Sequence, residues 1–485
     1  MAFTQSDSIR LLGLDFGSTT SSMMVVQVSL GRHSVNGRMS YTNPTLVYRS
    51  PPCFTPFRNQ QIDTEILLQQ LTVWMQQAQL DVFPAHTGAA LITGLAARSD
   101  NARILSRIIG EQIGDAMIAT ADDPGLESWM AFMGSCQLLS RYYYDQPVLN
   151  LDIGGGTTNP ALGMAGNVQS CGCYYIGARH FRFEPGSYHL TGISSYGTRL
   201  LRQLGITAVP AVFDNSLRQR IVQWMVRSLE QIVTGNEAAI DDYFRQLALQ
   251  NQAGLVGQEA ALVTFSGGVG ELIYRFQDSG RWPGTTEYGD LGIDLAQAIV
   301  ASPILSRTLS VRPDNAGRAT VLGLTLHSSD ISGTSLYISN PELLPLTDLP
   351  LLSHLDLDAS QDQITQVMRL AQGCQRGAAI RIGVGNTNTQ PASLLLIKQF
   401  TRRLNSARDC ATGDGAALSA PPLVLLLESN IGKTLGNYLS NWGQRPESLL
   451  VIDEIPDRQA QFIHVGRPLK QVVPVSFFGM SQEAS

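Results

Sequence analysis

Two kinds of apolar pattern alternate along the chain: short continuous runs, and longer runs that repeat every three or four residues. The short runs predict buried strands and the periodic runs predict amphipathic helices. Predicted helices include one with apolar positions between 67 and 78, for which Asp63 is the candidate N-cap, and one over 216–233. Predicted strands cover 9–16, 21–30, 89–93 and 117–120. This alternation is typical of the α/β class.

One stretch of the chain occurs twice. Leu-Asp-Phe-Gly-Ser-Thr-Thr at 14–20 returns as Leu-Asp-Ile-Gly-Gly-Gly-Thr-Thr at 151–158. Each copy is a predicted strand that ends in an aspartate, followed by a glycine-rich turn and a second apolar strand. Two copies so far apart indicate two duplicated lobes rather than a solenoid. We expect a first lobe at 1–147, a second lobe at 148–330 and a C-terminal α/β region at 331–485.

The repeated turns have the chemistry of a phosphate site. Backbone N–H groups and hydroxyls of such a turn converge on one point, and glycine lets phosphate oxygens approach the backbone. Carboxylates beside a triphosphate repel it unless a divalent cation lies between, and hydrated Mg²⁺ suits that position. Asp15 and Asp152 are therefore candidate Mg²⁺ ligands and catalytic residues. The candidate phosphate-binding residues are Gly17, Ser18, Thr19 and Thr20 in the first turn, and Gly154, Gly155, Gly156, Thr157 and Thr158 in the second turn.

A third glycine-rich turn follows the predicted strand at 262–265. It consists of Ser266, Gly267, Gly268 and Val269 and leads into a helical pattern. Glycines here would let a flat nucleoside lie against the backbone, and the start of the helix would face the phosphates. The three turns together predict a site for ATP or ADP with Mg²⁺.

Composition excludes several classes of protein. Hydrophobic residues make up 44% of the 485 residues and charged residues 15%, which is not the composition of a disordered chain. The net charge is −6, and no block of Lys and Arg is present to neutralise nucleic-acid phosphates. Six cysteines are too few for a disulfide scaffold of this length. Without an export signal or a membrane-crossing apolar run, we expect a cytoplasmic protein with no membrane or nucleic-acid partner.

The three turns, in this order, resemble the phosphate-1, phosphate-2 and adenosine motifs of the actin, heat-shock chaperone and sugar kinase ATPase superfamily. The segments 125–139 and 318–323 resemble its two connecting helices. A more specific resemblance, over about 9–478, is to the EutA family of reactivating factors for coenzyme B12-dependent ethanolamine ammonia-lyase. It is carried by the strings LITGLAARSDNAR, LDIGGGTTNPAL, TFSGGVGE, RATVLGLTLHSSDISGTSLYI, VIDEI, VGRPL and VVPVSFFG.

This resemblance implies a two-lobed, actin-like ATPase that acts as a chaperone. It would bind ethanolamine ammonia-lyase stalled on damaged cobalamin and, with ATP and Mg²⁺, let the dead cofactor leave. By position, the resemblance assigns Mg²⁺ to the two aspartates, phosphates to the first two turns and the nucleoside to the third. It leaves open whether the chain forms a homo-oligomer and whether it is associated with a bacterial microcompartment.

Two other functions fit the same superfamily. A small-molecule kinase would need a base, usually an aspartate, placed on an acceptor hydroxyl, and no motif identifies one. A polymerising, actin-like protein would need no further chemistry. One departure from the expected hairpin is Pro160, which removes a ladder donor just inside the second strand of the second repeat and predicts an irregular hairpin there.

Three further patterns carry no predicted site. Gly432-Lys433-Thr434 looks like part of a P-loop, but Leu427 stands where that loop requires glycine. Cys171 and Cys173 are predicted to lie on one face of a strand as small packed thiols, without the further ligands a zinc site needs. The seven histidines form no i, i+4 pair.

Overall fold

The computed structural model describes most of the chain. The described residues are 8–17, 20–32, 37–51, 53–58, 61–82, 85–92, 109, 116–120, 124–249, 261–327, 329–384, 393–412, 421–445, 448–458 and 460–478.

The first lobe is built on a sheet in the order β3-β2-β1-β7-β8, with β4 paired to β2. Its helix α1 begins after Asp63, whose side chain accepts a hydrogen bond from the Ile66 N–H, as the N-cap prediction required. The strands are β1 (Ser8–Phe16), β2 (Thr20–Arg32), β3 (Met39–Arg49), β4 (Cys53–Phe54), β5 (Phe57–Arg58), β6 (Gln61–Ile62), β7 (Thr87–Ile92) and β8 (Ala116–Thr120). The helices are α1 (Thr64–Gln77), α2 (Pro124–Ser135) and α3 (Gln137–Tyr142).

The second lobe has a sheet in the order β15-β12-β10-β9-β16, with β11 paired to β10. Helix α5 confirms the predicted amphipathic helix, because Ile221, Met225 and Leu229 on its apolar stripe are fully buried. The strands are β9 (Val148–Ile153), β10 (Thr158–Met164), β11 (Asn167–Cys171), β12 (Cys173–Tyr174), β13 (Phe181–Phe183), β14 (Leu190–Ile193), β15 (Arg245–Leu247) and β16 (Leu262–Ser266). The helices are α4 (Ser195–Gln203), α5 (Asn215–Val233), α6 (Gly267–Ser279) and α7 (Gly292–Ala301).

The two sheets share one local arrangement. In the first sheet β1 pairs antiparallel with β2 and parallel with β7. In the second sheet β9 pairs antiparallel with β10 and parallel with β16. Asp15 lies near the end of β1 and Asp152 near the end of β9, so each aspartate lies at the same place in its own sheet.

Helix α8 (Ala319–His327) packs directly on α2. The contact is backbone to backbone, because a Cβ added at Gly323 would lie 1.9 Å from the Met130 carbonyl oxygen. A Cβ at Gly134 would lie 1.9 Å from the Ala319 carbonyl oxygen. The predicted first connecting helix, 125–139, is interrupted at Cys136, where α2 ends and α3 begins.

The C-terminal region has a mixed sheet in the order β17-β24-β23-β19-β20-β21-β22-β18, in which β19, β20, β21 and β22 run parallel. Its strands are β17 (Asp330–Ile331), β18 (Tyr337–Ile338), β19 (Leu346–Asp356), β20 (Ala378–Gly383), β21 (Leu423–Leu427), β22 (Leu449–Ile452), β23 (Phe462–Val465) and β24 (Pro474–Phe478). Its helices are α9 (Gln361–Gly373), α10 (Leu394–Thr412) and α11 (Gly432–Leu439).

Strand β2 joins the first turn to the C-terminal region. It begins at Thr20 and ends at Arg32, whose Nη1 lies 3.9 Å from Oε2 of Glu454. The Arg32 Nη2 also donates a hydrogen bond of 3.4 Å to the Thr334 hydroxyl. One strand therefore touches both the candidate site and the third sheet.

Two sequence predictions about the second sheet are wrong. Cys171 and Cys173 do not share one strand: Gly172 separates β11 from β12, and its N–H donates to the Pro160 carbonyl. Pro160 does not disturb the hairpin with β9, since it pairs with Leu151 without a register shift. The irregularity lies on the other side of β10, towards β11. None of the helices in the described part of the chain is long and apolar enough to cross a membrane.

Candidate active site

The first turn follows β1 directly. Its backbone is supported from outside the hairpin, because the Thr55 hydroxyl donates a hydrogen bond of 2.7 Å to the Gly17 carbonyl. The hydroxyls of Ser21 and Thr55 lie 2.9 Å apart. Thr20 begins β2, and Ser18 and Thr19 lie outside the described residues. Their role in phosphate binding stays a prediction.

The second turn is described completely. It is closed by a hydrogen bond of 2.9 Å from the Gly154 N–H to the Thr157 carbonyl, and Gly154, Gly155, Gly156 and Thr157 are partly exposed. Thr158 differs from them, since it is buried and its hydroxyl donates to the Ile176 carbonyl at 2.7 Å. Because the hydroxyl of Thr158 points inward, only the backbone of this residue could contact a bound phosphate.

The segment 177–179 lies directly beneath the second turn. The Arg179 N–H donates to the Gly155 carbonyl at 2.6 Å, and the Ala178 N–H donates to the Gly154 carbonyl at 3.1 Å. A Cβ at Gly177 would lie 2.5 Å from the Gly155 oxygen, so only glycine fits there. These bonds occupy two carbonyl oxygens that would otherwise repel a phosphate.

The third turn has the predicted strand-to-helix form. Gly267 has φ +75° and opens α6, and a Cβ there would lie 2.6 Å from the Ile153 carbonyl oxygen. Nothing lies within 4 Å of the Cβ position of Gly268. Ser266 and Val269 are buried. The space beside Gly268 is therefore open to a nucleoside. Because the side chains of Ser266 and Val269 are buried, their predicted contact with the nucleoside would be made by their backbone, and it stays a prediction.

A buried chain of hydrogen bonds ends on Asp152. The Ser266 Oγ lies 2.6 Å from the Asp152 Oδ1, and the Asn150 Nδ2 lies 2.8 Å from the Ser266 Oγ. The Thr264 hydroxyl donates to the Asn150 Oδ1 at 3.1 Å. Since an ionised carboxylate only accepts, the direction of donation runs from Thr264 to Asp152. The chain fixes the orientation of the carboxylate.

A third carboxylate joins the two predicted ones. Burial raises the pKa of Glu127, on α2, well above its ordinary range, and the charges of Asp15 and Asp152 raise it further. Burial also raises the pKa of Asp152 to about 6, against hydrogen bonds from Ser266 and Asn159 that lower it. The charges of the two aspartates disfavour the ionised form of the buried Glu127, and a cation among them would offset that effect.

Sequence reasoning missed Glu127. It lies on a helix, in no motif, and far along the chain from the first aspartate that it approaches. The only available signal was an acidic residue in the first turn of a helix that the superfamily resemblance already identified as a connecting helix.

The carboxylates fit hydrated Mg²⁺ better than a bare metal ion. In the described parts of the chain, no three His, Cys, Asp or Glu side chains lie close enough together to enclose a metal ion. Mg²⁺ in nucleotide sites keeps several waters and takes one or two carboxylates, with phosphate oxygens as further ligands. Asp15 and Asp152 would accept from those waters.

The chain matches a known family over nearly its whole length. The model of the family described as ethanolamine utilisation protein EutA covers residues 7–479. A relative from Salmonella typhimurium, named ethanolamine ammonia-lyase reactivase EutA, is 30% identical over 96% of this chain and 97% of its own. The protein of the same name from Escherichia coli is 28% identical over the same shares.

A crystal structure of the Aquifex aeolicus member of the Ppx/GppA family also aligns with this chain. The alignment covers 66% of this chain and 88% of the other, at 14% identity and a TM-score of 0.32. So low a score adds nothing to the α/β fold, which rests on the sheet topology.

Proposed function

Because the chain belongs to the EutA family of ethanolamine utilisation proteins, we propose that it is an ATP-dependent reactivating factor for ethanolamine ammonia-lyase. In this proposal it binds lyase that carries damaged cobalamin, and the nucleotide cycle lets that cofactor leave. The reactivase names of its relatives support the choice of partner. We propose that the protein works wherever that lyase is found, including inside a microcompartment.

The observation that carries the ATPase part is the approach of Glu127 to the two aspartates that precede the first and second turns. Asp152 is buried and Glu127 interacts with both aspartates. Such an arrangement is unfavourable for an ionised Glu127 in a protein that binds nothing there, because the charges of both aspartates raise its pKa. It becomes favourable when a divalent cation and a nucleotide are bound between the lobes.

The residues divide the chemistry of hydrolysis between them. Backbone N–H groups of the first two turns hold the phosphates, and bound Mg²⁺ neutralises the charge that develops on them. Glu127 accepts the proton of a water whose oxygen attacks the γ-phosphorus, and the bond from that phosphorus to the departing ADP oxygen breaks. Glu127 becomes a usable base only when positive charge lies among the carboxylates, since otherwise its raised pKa keeps it protonated.

The nucleotide must distinguish two states of the protein if it is to act on a partner. A ligand that binds both states equally shifts no equilibrium. ATP and ADP differ in the γ-phosphate, which the first and second turns would contact from opposite lobes. We therefore infer that lobe closure depends on the γ-phosphate and that hydrolysis reverses it.

The test is a reactivation assay. Ethanolamine ammonia-lyase inactivated with an adenine-lacking cobalamin is mixed with this protein, Mg-ATP and fresh adenosylcobalamin, and ammonia release is followed. We expect activity to return with ATP and not without it. Gly155→Val and Asp152→Asn should abolish recovery, because the first crowds the phosphate approach and the second removes a ligand charge. Asp278→Asn is the matched control, as Asp278 is exposed on α6 and paired with Arg312.

Each contrary result has a definite meaning. Recovery without nucleotide would show that the coupling is wrong even though the partner is right. No recovery with any nucleotide, together with ATP-dependent phosphorylation of a small molecule, would favour the kinase alternative. Nucleotide-dependent sedimentation of the protein alone would favour the polymerising alternative.

A further inference from the structure

A tryptophan is exposed just beyond the end of α11. Trp442 has 67% of its surface exposed, although tryptophan side chains are on average highly buried. Its ring packs edge-on against Tyr438, and the two ring centroids lie 5.8 Å apart. The Nζ of Lys398, on α10, lies 5.5 Å from the centroid of the Tyr438 ring. The aromatic pair therefore connects α10 and α11 at the protein surface.

The backbone that presents Trp442 lies in an unusual region. Asn441, Trp442 and Gly443 all have positive φ, at 49°, 60° and 82°. Glycine and asparagine tolerate the left-handed region, whereas a bulky side chain there is strained. The turn is nevertheless fixed, because the Trp442 N–H donates to the Asn437 carbonyl at 2.7 Å and the Gly443 N–H donates to the Ser440 hydroxyl at 3.1 Å. Burial does not repay this strain, so the exposed ring itself is the reason for the conformation.

The helix beside Trp442 is basic, although the whole chain has a net charge of −6. The charged residues of α10 are Lys398, Arg402, Arg403, Arg408 and Asp409. Lys398 and Arg402 are exposed one turn apart on the same face. Asp409, the one acid of the helix, already pairs with Arg445. Lys398 and Arg402 therefore present positive charge that no acid of their own helix neutralises.

Apolar surface continues along the same face of α10. Leu395 is 65% exposed and lies one turn before Lys398. Tryptophan, tyrosine and arginine are the residues that most often dominate the energy of a protein interface. A rigid turn that holds an aromatic anchor also lowers the entropy lost on binding. The surface thus combines an apolar anchor with a positive border.

We propose that the surface formed by Leu395, Lys398, Arg402, Tyr438 and Trp442 is where this protein holds its lyase partner, through a segment of that partner that places carboxylates around an apolar pocket. This inference rests on the proposed function. Trp442 fills the pocket, and the two cations meet the carboxylates, since opposite charges steer the encounter and fix its register. A short acidic segment meets this surface alone, whereas a membrane or a nucleic acid would also approach the acidic remainder of the chain.

The experiment uses the full chain and two pairs of variants. Trp442→Asn removes the anchor and places in the turn a residue that tolerates positive φ. Its control is Tyr144→Asn, because Tyr144 is an aromatic residue of equal exposure, 68%, in the first lobe. Arg402→Glu reverses one charge of the surface, and its control is Arg227→Glu, on the exposed side of α5 in the second lobe.

Binding to ethanolamine ammonia-lyase that carries an adenine-lacking cobalamin is followed by interferometry at low and high salt, with basal ATPase and melting temperature as further readouts. Trp442→Asn should weaken binding about 30-fold, as loss of a hot-spot residue does. Its melting temperature should equal or exceed that of wild type, because the strain is relieved. Arg402→Glu should slow association about tenfold at low salt and less at high salt. Basal ATPase should be unchanged in all variants, and both controls should bind as wild type does.

The contrary results separate this inference from the proposed function. Wild-type protein that binds no lyase in any nucleotide state overturns both. Lyase binding and reactivation that survive in Trp442→Asn and Arg402→Glu overturn the inference alone. A melting temperature that falls together with binding makes Trp442 a packing residue and also overturns it. Wild-type binding to phosphatidylserine vesicles that Trp442→Asn abolishes would assign the surface to a membrane instead.

Discussion

The Ser266 hydroxyl donates a hydrogen bond of 2.6 Å to Oδ1 of Asp152. The serine belongs to the third turn, which is predicted to meet the nucleoside, and the aspartate belongs to β9, the strand before the second turn. Ser266 makes no side-chain hydrogen bond to the start of its own helix. Its hydroxyl serves the carboxylate instead of the helix.

Ser266→Ala should weaken Mg²⁺ binding in a pH-dependent way. Burial raises the pKa of Asp152 to about 6, and loss of the Ser266 donor raises it further. More Asp152 is then protonated at pH 7, so we expect the Mg²⁺ concentration for half-maximal ATPase to rise about tenfold, or 1.4 kcal/mol. The difference should shrink at pH 8.5, where Asp152 is ionised in both proteins. Ser228→Ala is the control, because the Ser228 hydroxyl bonds within its own helix. An unchanged Mg²⁺ requirement would remove the serine from the site.

Gly323→Ala should separate the two packed helices α2 and α8. An added Cβ would lie 1.9 Å from the Met130 carbonyl oxygen, where backbone must move. Overpacking of this kind costs about 1–3 kcal/mol, so we expect the melting temperature to fall by several degrees. Gly373→Ala is the control, since it ends α9 and nothing lies within 4 Å of its Cβ position. Equal melting temperatures for the two variants would contradict the close helix contact.

Lys433→Ala should leave ATP affinity and turnover unchanged. Leu427, which stands where a P-loop requires glycine, is buried in the core of the C-terminal region, and Lys433 is exposed. The start of α11 lies against Asp453, since a Cβ added at Gly432 would lie 3.2 Å from the carboxylate carbon of Asp453. Asp152→Asn, measured beside it, should lower turnover at least tenfold. A large loss of ATP affinity in folded Lys433→Ala would restore the P-loop interpretation.

Asp290→Asn should change how stability depends on pH. Burial raises the pKa of Asp290 to about 6 from 3.8. The folded protein therefore holds this proton more tightly than the unfolded chain, so the contribution is fully present below pH 3.8 and is lost as pH rises through 6. At about 1.4 kcal/mol for each pH unit between the two pKa values, Asp290 contributes roughly 3 kcal/mol to the free energy of unfolding at low pH.

Calorimetry at pH 4.5 and pH 7 checks this expectation. Between these two values the melting temperature of wild type should fall further than that of Asp290→Asn. The asparagine can still accept the 2.8 Å hydrogen bond from the Gly292 N–H, so packing is preserved. Parallel pH dependence in the two proteins would show that Asp290 ionises as it does in the unfolded chain.

Local patterns determined which predictions succeeded. The helix at 216–233 was predictable because its apolar stripe and its Asp214 cap lie within one segment. The break at Gly172 was not, because it depends on Pro160 of the neighbouring strand: a Cβ at Gly172 would lie 3.0 Å from the proline ring. Pro160 itself was judged as an isolated strand breaker, yet the register with β9 tolerates it.

The candidate site divides in the same way. Asp15 and Asp152 stand in repeated motifs, so the sequence alone identified them. Glu127 gains its role only from the two aspartates that the fold brings near it, and no spacing along the chain records that approach. The assignments of Ser18 and Thr19, and the lobe boundaries, stay predictions.

Strand β2 connects the first turn mechanically to the C-terminal region. A strand of 13 residues spans about 40 Å, and this one has the first turn at one end and the Arg32–Glu454 ion pair at the other. A hydrogen-bonded strand resists stretching along its axis. A displacement of the first turn should therefore be transmitted along β2 to the sheet of the C-terminal region. The contact at the Arg32 end is an ion pair that is partly exposed, so it is sensitive to ionic strength, whereas the backbone hydrogen bonds of the strand are not. Added salt should therefore weaken the contact between β2 and the C-terminal region before it affects nucleotide binding.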